Sequence, residues 1–122
     1  MSLKLIFFGT PNFAVYSLKE IYNSHFTIMC VVTNPDKKSG RGRKINTSPV
    51  KNFCIENDIE TLQPESFTDT QFISKLKLFK ADLFVVVAFK KLPKLVWDIP
   101  PLGTINLHAS ILPDLRGAAP IN

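Results

Sequence analysis

The chain alternates between short, continuous apolar runs and longer segments in which apolar residues recur at helical spacing. Lys4–Phe8, Phe26–Thr33 and Leu83–Val87 are runs of the first kind, and such runs are typical of parallel strands that are buried on both faces. We also predict a brief strand over Glu60–Gln63 and a last strand over Gly103–Leu107. Strands are therefore expected along the whole length of the chain.

Helices are predicted in the segments between these strands. Thr10 is a candidate N-cap with Pro11 at the first helical position, an order that favours a helix start. The helix that follows is expected to run to about Tyr22, and the residues that it is expected to bury are Phe13, Leu18 and Ile21. Ser48 and Pro49 repeat the start signal. Further helices are predicted over Pro49–Glu56, Thr68–Phe79 and Leu92–Trp97.

Strands that alternate with helices predict an α/β fold whose sheet is mostly parallel, with helices on both faces. The 122 residues contain no internal linker and are expected to form one domain. In sheets of this kind, ligands bind beyond the carboxyl ends of the strands. Candidate functional residues follow the predicted strands: the turn Gly9–Asn12, the loop Asn34–Thr47, Ala88 with Phe89, and Asn106 with His108.

Asn106 and His108 are the strongest catalytic candidates. Side chains alternate along a strand, so these two are expected on one face, with Leu107 on the other. An amide that donates to an oxyanion, beside an imidazole that moves a proton, suits a reaction with a tetrahedral anionic intermediate. The alternative is a structural histidine and an asparagine that only caps the strand end.

The segment from Lys37 to Lys44 concentrates the positive charge of a chain whose formal net charge is +5. This basic run consists of Lys37, Lys38, Ser39, Gly40, Arg41, Gly42, Arg43 and Lys44. It fits an arm that contacts a phosphate backbone, since glycines let it conform and arginines make bidentate contacts. A solvated, flexible loop is the alternative reading. The loop Asn34–Thr47 that contains it is long for a compact domain, which favours a function.

Composition limits the class of protein further. Cys30 and Cys54 lack metal-like spacing and are expected to be buried free thiols in a reducing compartment. No apolar segment approaches the roughly 20 residues of a membrane helix, so we expect a cytoplasmic protein without membrane contact. The turn at Gly9 lacks the further glycines of a dinucleotide-binding motif, which argues against NAD or FAD. No metal is expected.

Over essentially its whole length, the chain resembles the amino-terminal part of the bacterial and organellar methionyl-tRNA formyltransferases. The segments that carry the resemblance are Phe7–Ala14, Val32–Lys37, Gly40–Lys44, Ser48–Lys51, Leu62–Glu65 and, above all, Asn106–Ile121. Several long motifs in the same order are far more specific than a single short pattern.

The resemblance implies a Rossmann-like formyltransferase fold. It implies formyl transfer from 10-formyltetrahydrofolate to the α-amino group of methionine on initiator tRNA, in the bacterial cytoplasm and without an obligate protein partner. Residues 1–122 would form the amino-terminal part of the catalytic domain, and a carboxy-terminal barrel domain that helps to grip tRNA would be absent from this chain.

The resemblance also assigns roles to individual residues. Asn106 and His108 are the implied catalytic residues. The implied folate-binding residues are Phe89, Leu92, Ser110, Ile111, Leu112 and Pro113. The implied tRNA-binding residues are Lys37, Lys38, Arg41, Arg43 and Lys44, and the turn residues Thr10, Pro11 and Asn12 are assigned to substrate binding.

Two departures from the family pattern affect these expectations. Lys90 follows Ala88-Phe89 where the family commonly has glycine, which bears on the detail of the folate pocket. The family's third catalytic residue, an aspartate, lies about two dozen positions beyond Asn122, and neither Asp98 nor Asp114 matches its motif. We therefore expect at most trace activity from these 122 residues alone.

Two other functions remain open from the sequence. One is a folate-dependent formyltransferase that acts on a small sugar or nucleotide amine, for which removal of the basic run should matter little. The other is a non-catalytic basic module that binds RNA or folate, in which Arg41 and Arg43 carry the binding and Asn106 and His108 are incidental.

Overall fold

A computed structural model of the chain describes residues 2–10, 12–39, 44–107 and 119–120. Its main sheet has six strands in the order β5-β2-β1-β6-β7-β8. The strands are β1 (Lys4–Phe8), β2 (Thr27–Val32), β5 (Thr61–Leu62), β6 (Leu83–Val87), β7 (Thr104–Leu107) and β8 (Ala119–Pro120). β5, β2, β1, β6 and β7 pair in parallel, and only β8 is antiparallel, to β7. The predicted, mostly parallel α/β fold is confirmed.

Helices cover both faces of the sheet, as the sequence predicted. Helices α1 (Ala14–Tyr22) and α2 (Pro49–Glu56) pack on the face that includes Phe7 and Val85. Helices α3 (Thr70–Leu78) and α4 (Lys94–Trp97) pack on the face that includes Phe8 and Phe84. Alternate residues of β1 therefore enter two separate core layers, which is why its whole run is apolar.

The predicted start of the first helix is wrong. Helix α1 begins at Ala14, and Phe13 occupies the N-cap position without a side-chain cap bond. Phe13 is also 42% exposed instead of buried. Thr10 is not a helix cap, because its hydroxyl is engaged with the strand next to β1, as described below. Pro11 lies outside the described residues.

The predicted start of the second helix is confirmed. Ser48 caps α2 by accepting a hydrogen bond from the backbone N–H of Lys51, and Pro49 is the first helical residue. Helix α3 begins at Thr70, two residues after the predicted start at Thr68. It is capped by Asp69, whose side chain accepts a hydrogen bond from the backbone N–H of Gln71. Helix α4 starts at Lys94, since the residues from Leu92 that precede it are not helical.

The segment predicted as a loop over Asn34–Thr47 contains a hairpin. β3 (Lys37–Ser39) and β4 (Lys44–Asn46) pair antiparallel and form a separate two-stranded sheet. The described ends of the basic run, Lys37–Ser39 and Lys44, therefore lie in a small two-stranded β-ribbon. The two strands were not predicted from the sequence, because both contain lysine, which is depleted in strands.

Both cysteines are buried free thiols, as predicted. Cys54 contributes to the core on the α2 face and Cys30 to the core on the opposite face. Burial raises the pKa of Cys54 to about 11 and raises the pKa of Cys30 further still. Both thiols therefore stay protonated at neutral pH.

Ala88, directly after β6, has a φ of 47°, a left-handed conformation that costs alanine free energy. We expect Ala88→Gly to raise the free energy of unfolding by about 0.5–1 kcal/mol, since relief of this strain outweighs the greater freedom of glycine in the unfolded chain. Urea denaturation measures the change. Ala14→Gly, at the buried start of α1, is the matched control and should lower stability. A lower stability of Ala88→Gly would contradict the expectation.

Candidate active site at the carboxyl edge of the sheet

The carboxyl ends of the five parallel strands lie along one edge of the sheet. Gly9 follows β1, Thr33 follows β2, Gln63 follows β5, Ala88 follows β6, and β7 ends at Leu107. A doubly wound sheet binds its ligands at this edge. The structure therefore brings together the turn at Gly9, the start of the Asn34–Thr47 segment and the strand that carries Asn106.

Gly9 allows close packing where β1 leaves the sheet. A Cβ at this position would lie 2.9 Å from Cε1 of Phe7, 3.1 Å from the carbonyl oxygen of Val87 and 3.2 Å from Cβ of Ala14. Its backbone N–H donates to the carbonyl oxygen of Val32 at 3.0 Å. Gly9 is thus a packing residue between β1, β6 and α1, a role unlike that of a phosphate-binding glycine.

Thr10 joins the ends of β1 and β2 through its hydroxyl. The Oγ1 atoms of Thr10 and Thr33 are 2.9 Å apart, and Thr33 is fully buried. The backbone N–H of Asn34 donates to the same Thr10 oxygen at 2.8 Å. These bonds hold the two strand ends together at the edge. The exposed Asn12 stands next to this turn.

Asp36 accepts hydrogen bonds from two other elements at this edge. One carboxylate oxygen, Oδ2, accepts from Nζ of Lys51 at 2.5 Å, and the other, Oδ1, accepts from Nε2 of Gln63 at 2.8 Å. Gln63 also donates to the carbonyl oxygen of Asn34 at 3.0 Å. The hydrogen bonds from Lys51 and Gln63 hold the pKa of Asp36 below its usual value.

Phe89 belongs to a group of aromatic rings on the α3 side of the edge. Its ring centroid lies 6.0 Å from that of Phe8 and 5.5 Å from that of Phe67. Phe89 is half-buried, so part of the ring faces outward, whereas Leu92 is buried beside it in the same core layer. Lys90 places its ammonium 6.0 Å from the centroid of Phe67. We call the rings of Phe8, Phe67 and Phe89, next to the end of β6, the aromatic wall.

Asn106 stands on the same face of the sheet as this aromatic wall. The register pairs Asn106 with Val86, whose side chain lies in the core layer of Phe8. Leu107 packs against the opposite core layer, as the alternation along the strand predicts. Asn106 is half-buried, one residue before β7 ends at the carboxyl edge.

Several predicted site residues lie outside the described residues. They are Pro11, Arg41, Arg43, His108, Ser110, Ile111, Leu112 and Pro113. Of the predicted tRNA-binding residues, Lys37 and Lys38 lie in β3 and Lys44 in β4. The roles assigned to all these residues stay predictions.

The contacts among Asp36, Lys51 and Gln63 were not predicted from the sequence. All three residues belong to the motifs that carry the family resemblance, but none was given a role. The available signal was position, because Asp36 and Gln63 follow buried strands whose carboxyl ends share one edge.

A second concave region lies at the opposite, amino-terminal edge of the sheet. It is an open cleft of about 670 Å³, and Leu76, Ala81, Asp82, Leu95 and Ile99 are among its lining residues. Ala81 and Asp82 directly precede β6, so the cleft is remote from Asn106. Within the described part of the chain, no helix is long and apolar enough to cross a membrane, and no three His, Cys, Asp or Glu side chains cluster as metal ligands.

A parallel α/β sheet with an aromatic wall and a half-buried asparagine at its carboxyl edge has the features of a ligand-binding domain. The family model described as "Formyl transferase" matches residues 3–122. The chain therefore belongs to the formyl transferase family.

The relatives with known names are more specific. The chain is 50% identical over 120 residues to a methionyl-tRNA formyltransferase of Bacteroides thetaiotaomicron. It is 54% identical over 121 residues to that of Fusobacterium nucleatum and 50% identical over 121 residues to that of Clostridioides difficile. Each match covers 98% of this chain. The chain spans only 37% to 39% of the length of these curated relatives.

Proposed function

We propose that the protein transfers a formyl group from 10-formyltetrahydrofolate to the α-amino group of methionyl initiator tRNA, in the bacterial cytoplasm. Residues 1–122 supply the amino-terminal part of the catalytic domain. The observation that carries the proposal is the identity of about half of all residues, over nearly the whole chain, to three methionyl-tRNA formyltransferases.

The position of Asn106 at the carboxyl edge, where it is half-buried, supports the proposed chemistry. The free methionyl amine attacks the formyl carbon, which becomes tetrahedral and places a negative charge on the formyl oxygen. Asn106 and a protonated His108 donate hydrogen bonds to that oxygen, and such donors act most strongly in a site that excludes water. Collapse of the intermediate breaks the bond from carbon to the folate nitrogen, and the protonated His108 gives its proton to that nitrogen. The attacking amine loses one proton, which restores the protonated imidazole, so that no net proton is consumed.

The aromatic wall supports a folate site at the same edge. The half-buried ring of Phe89 offers a flat apolar surface to a heterocycle, and the buried Leu92 belongs to the core layer against which that ring packs. Ser110, Ile111, Leu112 and Pro113 complete the folate pocket in this proposal. A site of this kind, apolar with a few polar groups that set orientation, is typical of small-molecule recognition.

The β3–β4 hairpin supports recognition of tRNA. Its strands carry Lys37, Lys38 and Lys44, and the segment that joins them carries Arg41 and Arg43. The hairpin follows β2, so it starts at the same edge as the proposed folate site. Positive charges there suit the phosphate backbone of a tRNA. Thr10, Pro11 and Asn12 are proposed to contact the substrate between the two.

A formyl-transfer assay tests the proposal. The 122-residue chain and a version extended through its downstream coding sequence each receive 10-formyltetrahydrofolate and methionyl initiator tRNA, and formylmethionine is measured. We expect product from the extended version and at most a trace from the 122 residues alone. Product with a small sugar or nucleotide amine, and none with the tRNA, would contradict the proposed substrate. Binding of folate or RNA without any product would favour a non-catalytic module.

A further inference from the structure

Both ends of the β3–β4 hairpin are fastened to the first turns of α2. At the outgoing end, Asp36 directly precedes β3 and accepts a hydrogen bond from Lys51. At the returning end, Thr47 directly follows β4, and its hydroxyl donates to Oδ1 of Asn52. Lys51 and Asn52 are consecutive residues of α2. Asp36 and Thr47 therefore form the base of the hairpin, and both are hydrogen-bonded to α2.

Asp36 is the centre of this base. Its two carboxylate oxygens are used separately, one by Lys51 on α2 and the other by Gln63 at the end of β5. Its side chain is 23% exposed and that of Lys51 is 18% exposed, so the ion pair is partly shielded from water. Gln63 also holds the carbonyl oxygen of Asn34, two residues before Asp36. The short connection from β2 to β3 is thus tied to two other elements.

We propose that Asp36, held by Lys51 and Gln63, is a positioning residue for tRNA: it sets the direction in which the basic hairpin leaves the sheet edge. This inference rests on the proposed function, since it gives the hairpin its purpose. When the base of the hairpin is already fixed, less conformational freedom is lost as tRNA binds to it.

Charge alone predicts the opposite effect for this residue. Asp36 carries a negative charge next to Lys37, and a polyanion is repelled by it. Removal of that charge would strengthen tRNA binding if Asp36 acted only through the electrostatic field. A positioning role predicts weaker binding. The sign of the change therefore separates the two explanations.

The tied carboxylate also keeps its charge in acid. The hydrogen bonds from Lys51 and Gln63 lower the pKa of Asp36 in the folded protein. At pH values above 3.8, the pKa of an unperturbed aspartate, the ionised carboxylate therefore contributes to the stability of the folded state. That contribution is lost as the pH falls through the lowered pKa of the folded state. Asp36 therefore stays ionised, and able to pair with Lys51, across the neutral range in which tRNA would bind.

The test compares three variants in the extended protein. Asp36→Asn removes one negative charge and the ion pair with Lys51. Glu60→Gln is the matched control, because it removes one negative charge from an exposed ion pair with Lys75, 2.9 Å long and outside the hairpin base. Gln63→Ala removes two hydrogen bonds of the base without any change of charge, and it keeps the test open if Asp36→Asn folds poorly.

Steady-state kinetics give the first readout. We expect Asp36→Asn to raise the KM for methionyl-tRNA about tenfold and Gln63→Ala to raise it about threefold, as loss of charged and neutral hydrogen bonds suggests. The KM for 10-formyltetrahydrofolate and kcat at saturating tRNA should stay at their wild-type values, which a general structural defect would not allow. Glu60→Gln should leave the KM for tRNA equal or slightly lower.

Amide hydrogen exchange gives a readout that needs no activity. Exchange over Lys37–Ser39 and Lys44–Asn46 should be faster in Asp36→Asn than in Glu60→Gln. An Asp36→Asn enzyme whose KM for tRNA is unchanged or lower would overturn the inference while the proposed function stands. If the wild-type protein neither binds nor formylates tRNA, the proposed function fails. Unchanged exchange over the hairpin would then also refute Asp36 as its anchor.

Discussion

Replacing Asn106 or His108 with alanine is expected to remove most of the formyl-transfer activity of the extended protein. Loss of one oxyanion donor typically lowers kcat by about 10²- to 10³-fold, and we expect this range for Asn106→Ala. His108→Ala should abolish measurable transfer, because it removes a donor and the proton-transfer group together. Folate binding should be largely kept in both variants, since the aromatic wall with Phe89 is untouched.

Steady-state kinetics and folate titration of the two variants check this expectation. Asn57→Ala is a suitable control, because Asn57 lies at the carboxyl end of α2, where its side chain donates to the carbonyl oxygen of Phe53. That position is remote from the carboxyl edge of the sheet, so kcat should be unchanged. Normal turnover by His108→Ala would refute the proposed role of the histidine.

Phe8→Ala is expected to cause the largest loss of stability among single changes near the site. Phe8 is fully buried, and its ring packs against Phe84 at 5.0 Å and against Phe89 at 6.0 Å between centroids. Truncation of a buried phenylalanine costs about 3–5 kcal/mol, because the transfer energy of the ring is lost and a cavity remains. That loss is a large part of the stability of a small domain.

Urea denaturation of Phe8→Ala measures this loss. Phe13→Ala is the matched control, since Phe13 is 42% exposed and its replacement should cost less than about 1 kcal/mol. Because Phe8 supports the ring of Phe89, Phe8→Leu should also weaken folate binding while the protein stays folded. Equal losses of stability for Phe8→Ala and Phe13→Ala would contradict the placement of Phe8 in the core.

Strands β1 and β6 were predictable because each is a short run whose side chains are almost all apolar on both faces. Lys4–Phe8 and Leu83–Val87 were predicted with the bounds that the structure has. The start of α2 was predictable for a local reason as well. Ser48 and Pro49 satisfy the unpaired N–H groups and the backbone angle of a first helical turn without help from distant residues.

Thr10 shows why the same local signal failed at α1. Its hydroxyl forms hydrogen bonds with the Thr33 hydroxyl and the Asn34 backbone N–H across the sheet, and so does not cap the helix. The role of Thr10 therefore depends on residues that are distant in the sequence, Thr33 and Asn34, which a local helix-start signal does not include. The hairpin failed for a related reason, since two three-residue strands have too little pattern to be recognised alone.

The sequence by itself determined the α/β class, the parallel strands and the candidate catalytic strand with Asn106, because apolar runs and helix caps are local properties. The tertiary structure alone decided which strand ends meet at the carboxyl edge, and with them the contacts of Thr10 and the aromatic wall at Phe89. It also decided the ion pair of Asp36 with Lys51 and the bond from Gln63, residues separated by 15 and 27 positions. Such contacts depend on the order of strands in the sheet, which no local pattern specifies.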